Sequence, residues 1–175
     1  MNLPNKLTIG RVLAVPVLIV TLMLGHYYAA AAIFALASLT DMLDGMIARK
    51  YGLVTNFGKI MDPLADKLLV MSALVCLVEL GDVPGWMAIV VLAREFTVTG
   101  LRSVAAAEGV VIAAGATGKV KTILQMAAIT AILLRNWPFC LIGMPVAEIL
   151  LWAAVVMTVV SGIEYIVKNK QVFSS

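Results

Sequence analysis

Between Val12 and Thr40 the chain runs for 29 residues without an Asp, Glu, Lys or Arg. As one continuous α-helix this stretch would be about 43 Å long, against a hydrocarbon core of about 30 Å. Its middle holds Gly25, His26, Tyr27 and Tyr28. A glycine beside interfacial aromatics reads as a tight turn at a membrane surface. The stretch therefore splits into a first span near 8–24 and a second near 29–50. The rest of the chain has the same character. Apolar residues make up 62% and charged residues 13%, where a soluble domain has about 45–50% and about 25%. Mean hydropathy is +1.03. These values exclude a disordered chain, a fibre and a disulfide scaffold, and they point to a helical protein embedded in a bilayer. A cleaved signal peptide fits the N-terminus less well, because the chain continues into a second apolar span without a cleavage-site pattern.

Glycine, proline and charge mark four further spans, near 58–80, 85–107, 117–134 and 144–167. The breaks are Gly81-Asp82-Val83-Pro84-Gly85 after the third and Arg135-Asn136-Trp137-Pro138 after the fifth. The expected fold is an all-α bundle of six transmembrane helices in a single domain over residues 1–175. Barrel strands would need short alternating segments instead of continuous apolar runs. Met1 to Leu7 is too short for a domain and is expected along the interface. With the N-terminus in the cytosol, Lys6, Arg11, Arg49, Lys50, Lys59, Lys67, Arg94, Arg102, Lys119, Lys121, Lys168 and Lys170 all fall on the cytosolic side. Only Arg135 falls opposite. This bias places both termini inside and agrees with an even number of spans. Cys76 and Cys140 sit in apolar surroundings without metal-ligand spacing and read as small packing residues. His26 and the three tryptophans read as interfacial or lipid-facing.

Four carboxylates remain to be explained. Asp41 and Asp44 belong to the second span, Asp62 and Asp66 to the third. Spacings of three and four put each pair on one helix face, and charge within a membrane helix normally faces a partner or a wet cavity. The two helix ends that meet at the cytosolic loop carry all four, so the pairs can face one another. Converging carboxylates stay ionised together only with cations between them. Hard oxygen ligands suit Mg²⁺ or Mn²⁺, and two such ions about 3.5–4 Å apart form a clamp for displacement at phosphorus. The competing reading pairs these aspartates with Arg49, Lys50, Lys59 and Lys67. Gly45 and Gly58, close to the carboxylates, leave room for a ligand or a neighbouring backbone, and Arg49 can fork onto a phosphate.

The segment from Asp41 to Asp66, DMLDGMIARKYGLVTNFGKIMDPLAD, resembles the signature of the CDP-alcohol phosphotransferase family, DxxDGxxAR followed by GxxxDxxxD. Every signature position is matched. The resemblance implies a six-helical, usually dimeric membrane enzyme that uses two divalent cations to join an alcohol to the phosphate of a CDP-linked lipid, releasing CMP. It implies that Asp41, Asp44 and Asp62 are metal ligands and that Asp66 is a ligand or the general base. It places Gly45, Ala48, Arg49 and Gly58 around the CDP-lipid, together with Asn5 and Thr8 from PNKLTIGR.

The same PNKLTIGR segment, Leu92-Ala-Arg94-Glu95-Phe with Arg102, and Gly118-Lys119-Val120-Lys121-Thr122 resemble the branch of the family whose acceptor is glycerol 3-phosphate. Arg94, Arg102, Lys119 and Lys121 are then the cations for the acceptor phosphate, with Glu95 competing for Arg94. The sixth span carries no signature residue. The expected partners are CDP-diacylglycerol, glycerol 3-phosphate, membrane lipid and a second copy of the chain, with no nucleic acid. The expected location is a bacterial cytoplasmic membrane, crossed several times, with the active site facing the cytosol. Within the family, inositol phosphate or serine is the alternative acceptor. From another class, a cation or proton transporter would use intramembrane carboxylates, but near the midplane and on repeated halves; these lie toward one end and no repeat is visible. A non-enzymatic scaffold leaves the charges unexplained.

Overall fold

A computed structural model describes residues 3–51, 56–107, 109, 112 and 115–169. Those residues form six α-helices and no strand: α1 Leu3–Met23, α2 Tyr27–Tyr51, α3 Asn56–Glu79, α4 Gly85–Ala107, α5 Ala116–Leu133 and α6 Val146–Lys168, with a 3-10 turn at Phe139–Ile142 before α6. The helices follow the expected spans closely. The N-terminus is the exception, since Leu3 to Leu7 are already helical. Pro4 is compatible with that start, because the first-turn N–H groups of a helix have no partner to lose.

The turns obey the local chemistry of the sequence. Gly25 adopts φ 77° and Gly81 φ 79°, a left-handed conformation open to glycine at little cost. Each closes its helix with paired backbone bonds, Gly25 N to Leu22 O and His26 N to Thr21 O, then Gly81 N to Val78 O and Asp82 N to Leu77 O. These pairs satisfy carbonyls that a helix end leaves open.

The chain divides into two compact units, residues 1–82 with 133–135, and residues 83–132 with 136–175. In the first unit α1 packs on α2 and α3. Val15, Leu18 and Leu22 of α1, Ala30, Ala31 and Phe34 of α2, and Leu69, Ala73 and Leu77 of α3 are buried. The alanines of α2 let helices approach closely. At one end of this unit Tyr27 donates to Asp82 Oδ2 at 2.8 Å. Arg135 reaches Asp82 Oδ1 at 3.3 Å and lies over the Tyr27 ring at 4.6 Å. The Tyr27 phenol is pushed above its ordinary value, foremost by the bond to Asp82 and then by burial and the Asp82 charge, with Arg135 pulling the other way. In the second unit α4 packs on α6, with Val98, Leu101 and Tyr165 forming a cluster and Trp86 stacked at a tilt on Trp152. Asn136 ties the turn before α6, donating to Met144 O at 2.6 Å and accepting from Ala147 N at 3.0 Å.

Large apolar residues stand on the surface as well as in the core, and several polar ones are buried. Leu13, Leu36, Ile89, Ile123 and Val167 are more than half exposed, whereas Thr8, Arg11, Lys121, Gln125, Thr158 and Ser161 are buried. Among the described residues one helix, Val146–Lys168, is long and apolar enough to cross a bilayer by length and composition; Leu7–Met23 and Tyr27–Thr40 are shorter apolar stretches. The reason lies in where the charges fall. Lys59, Asp62, Asp66 and Lys67 occupy the first half of α3, Arg94, Glu95 and Arg102 interrupt α4, and Lys119 and Lys121 open α5.

Candidate active site

The signature carboxylates lie on two helices of the first unit. Asp41 and Asp44 are in the C-terminal half of α2, and Asp62 and Asp66 are in the N-terminal half of α3. Both pairs stand in regular helix, so the spacings of three and four keep each pair on one face. Asn5, Asp41, Asp44, Gly45, Ala48, Arg49 and Gly58 lie outside the residues whose side-chain surroundings are described. Asp62 is anchored from a third helix. Thr8, buried on α1, donates its hydroxyl hydrogen to Asp62 Oδ1 at 2.5 Å. A carboxylate accepts at two oxygens, so one such bond orients Asp62 without using it up. Asp66 follows one turn later and is half-buried. Arg11, one turn after Thr8 on α1, is buried. Beside it an apolar groove of about 510 Å³ runs along α1 and α2, with Arg11 and Thr40 as its polar members among Leu13, Val17, Ile33 and Leu36.

The four expected acceptor cations all belong to the second unit. Two of them meet on one carboxylate. Arg94 Nη1 lies 3.2 Å from Glu95 Oε1, and Lys121 Nζ of α5 bonds the same oxygen. The side chains of Arg94 and Glu95 are 13% exposed and that of Lys121 is 3% exposed. Glu95 thus competes for Arg94, as its adjacency suggests, and it also takes Lys121. Arg94 threads between two glycines: a Cβ at Gly118 of α5 would lie 3.4 Å from Nη2, and one at Gly162 of α6 would lie 3.2 Å from Cγ. Arg102 stands elsewhere on α4, its guanidinium 5.5 Å from the centroid of the Tyr165 ring, a cation–π distance. Lys119 is exposed. The sixth helix therefore contributes more than its sequence suggests, through Gly162 and Tyr165. A lone glycine in a run of bulky apolar residues was the available signal.

Both units fall within one sequence family. A family model described as CDP-alcohol phosphatidyltransferase matches residues 1–160, which takes in α1 to α5 and most of α6. The chain belongs to that family. Among curated relatives, it is 48% identical to the CDP-diacylglycerol–glycerol-3-phosphate 3-phosphatidyltransferase of Bacillus subtilis, over 96% of this chain and 95% of that one. It is 43% identical to the protein of the same name from Rickettsia bellii, over 98% of this chain and 97% of that one. As a CDP-alcohol phosphatidyltransferase the chain is an enzyme, and the α2–α3 carboxylates and the Arg94–Glu95–Lys121 group each lie inside the matched region.

Proposed function

We propose that this enzyme transfers a phosphatidyl group from CDP-diacylglycerol to glycerol 3-phosphate, giving phosphatidylglycerophosphate and CMP. The near full-length identity to relatives of that name supports the substrate pair. An acceptor hydroxyl oxygen bonds to the lipid-side phosphorus. The pyrophosphate P–O bond to CMP breaks, and the hydroxyl proton passes to a base. Asp66 is the candidate base; it shares a helix face with Asp62, whose orientation Thr8 holds.

The donor set fits divalent metal. Four carboxylates in two helical pairs are hard oxygen ligands, and Asp62, oriented by Thr8 through one oxygen, keeps another for a cation. Asp41, Asp44, Asp62 and Asp66 would hold two ions, Mg²⁺ or Mn²⁺, which supply charge neutralisation at the transferred phosphate. Asn5, Thr8, Gly45, Ala48, Arg49 and Gly58 surround the CDP-lipid in this reading, and the groove along α1 and α2 has the apolar lining an acyl chain requires. Arg94, Arg102, Lys119 and Lys121 receive the acceptor phosphate. Arginine offers two parallel donors to a phosphate, lysine a point charge.

The chain works as a single domain with six transmembrane helices and cytosolic termini, as a homodimer in a bacterial cytoplasmic membrane, with the site facing the cytosol. Large apolar residues exposed on every helix support the membrane reading, and the basic residues on one side support the orientation. The deciding experiment measures CMP release from CDP-diacylglycerol by the purified full chain with glycerol 3-phosphate, glycerol, inositol phosphate and serine in turn. Glycerol 3-phosphate should be the preferred acceptor. Equal turnover with glycerol would refute the assignment, because the cations would then have no phosphate to hold.

A further inference from the structure

Glu95 is an acid placed among bases that are there, on the reading above, to bind an anion. A carboxylate in that position weakens the local positive field, so a role in raw attraction does not explain it. Its contacts supply another role. Glu95 Oε1 accepts from Arg94 on its own helix and from Lys121 on the next. The partners are largely or fully buried. Two cations brought together in such surroundings repel, and desolvation disfavours the charged lysine. A shared carboxylate offsets both penalties and sets where Lys121 Nζ sits. The three groups still carry a net positive charge of about one. A lysine has three donors, so its bond to Glu95 is compatible with a further bond to a phosphate oxygen.

The surroundings are shaped for this arrangement. The Arg94 stem passes Gly162 of α6 and its tip Gly118 of α5, where an added Cβ would crowd it, and Lys121 of α5 bonds Glu95 of α4. Three helices thus contribute to holding one arginine and one glutamate in place. We infer that Glu95 is a positioning residue for the acceptor phosphate: it aligns Lys121, and with it Arg94, instead of touching substrate. The inference rests on the acceptor reading above, and its test separates the two.

The test uses the purified full chain in mixed micelles, with KM for glycerol 3-phosphate, KM for CDP-diacylglycerol and kcat measured for wild type, Glu95→Gln, Glu95→Asp, Lys121→Ala and the Glu95→Gln/Lys121→Ala double variant. Glu95→Gln should raise KM for glycerol 3-phosphate by about tenfold, the scale of one charge-assisted hydrogen bond, and leave KM for CDP-diacylglycerol near wild type. Glu95→Asp should lie in between. The double variant should be no worse than Lys121→Ala alone, since residues acting through one contact are not additive. If Glu95→Gln does not fold, Glu95→Asp, which keeps the charge, carries the test, and a wild-type KM in it overturns the proposal. A raised KM in Lys121→Ala with a wild-type KM in Glu95→Gln overturns the positioning role and leaves the acceptor reading standing. Wild-type KM in both overturns the acceptor reading as well. Fully multiplicative losses in the double variant also overturn the positioning role, because Glu95 would then act independently of Lys121.

Discussion

Thr8 and Asp62 are 54 residues apart in the chain, and the threonine hydroxyl donates to the aspartate carboxylate at 2.5 Å. The bond joins α1 to α3 at a signature carboxylate. It is made by a residue buried to 1% exposure, so water does not compete for it. The resemblance placed Thr8 beside the CDP-lipid; its observed partner is Asp62. Its contribution is therefore expected through the orientation of that aspartate.

Replacing Thr8 by valine keeps shape and removes the donor. Turnover should fall by about tenfold to a hundredfold, the range of a hydrogen bond to a charged group, and Thr8→Ser should restore most of it. Initial rates of CMP release check this, and a fully active Thr8→Val would mean that Asp62 needs no support from α1.

Chelator should abolish activity, and Mg²⁺ or Mn²⁺ should restore it. Asp41→Asn, Asp44→Asn and Asp62→Asn should each lose most turnover while the protein still inserts, since the charge stabilisation at stake is worth several kcal/mol. Asp66→Asn should lose about 10²–10⁴-fold, the contribution of a general base, with a smaller loss of CDP-lipid binding than Asp44→Asn. Near-normal turnover in Asp66→Asn would remove it from the mechanism.

Cys140 is exposed and Cys76 is buried, and Cys140 lies in the segment expected to face outward. An impermeant maleimide added to sealed right-side-out vesicles should label Cys140 and spare Cys76. On a cysteine-free background, Val54→Cys should react only after the vesicles are opened. Labelling of position 54 from outside would overturn the topology.

The Tyr27–Asp82 bond carries a pH signature. The phenol is pushed above its ordinary value, foremost by that bond, so folding favours its neutral form. The resulting stability is fully present below about pH 10, the ordinary tyrosine value, and is lost as pH rises through the raised one. Thermal unfolding of wild type and Tyr27→Phe should therefore differ at pH 8 and converge in strong alkali. A difference that does not change with pH would mean that the bond contributes through packing alone.

The six helices and their breaks were legible because a long apolar run bounded by glycine, proline and charge satisfies its backbone N–H and C=O groups within the segment when it is helical. Glycines at 25 and 81 supplied the turns for a reason equally local, the positive φ at both. The pairing of Asp41 with Asp44 and of Asp62 with Asp66 also follows from one helix at a time. Contacts between helices were a different matter. Thr8 with Asp62, Lys121 with Glu95 and Gly162 against Arg94 each join residues on separate helices, and Arg135 with Asp82 joins two separate turns. Which faces meet depends on how each helix is rotated about its axis. A helix apolar on nearly every side gives little sign of that rotation, because no single stripe of its surface is marked out for burial. Packing of small against large residues and the need to pair buried charge settle it instead, and both act only once the helices are together.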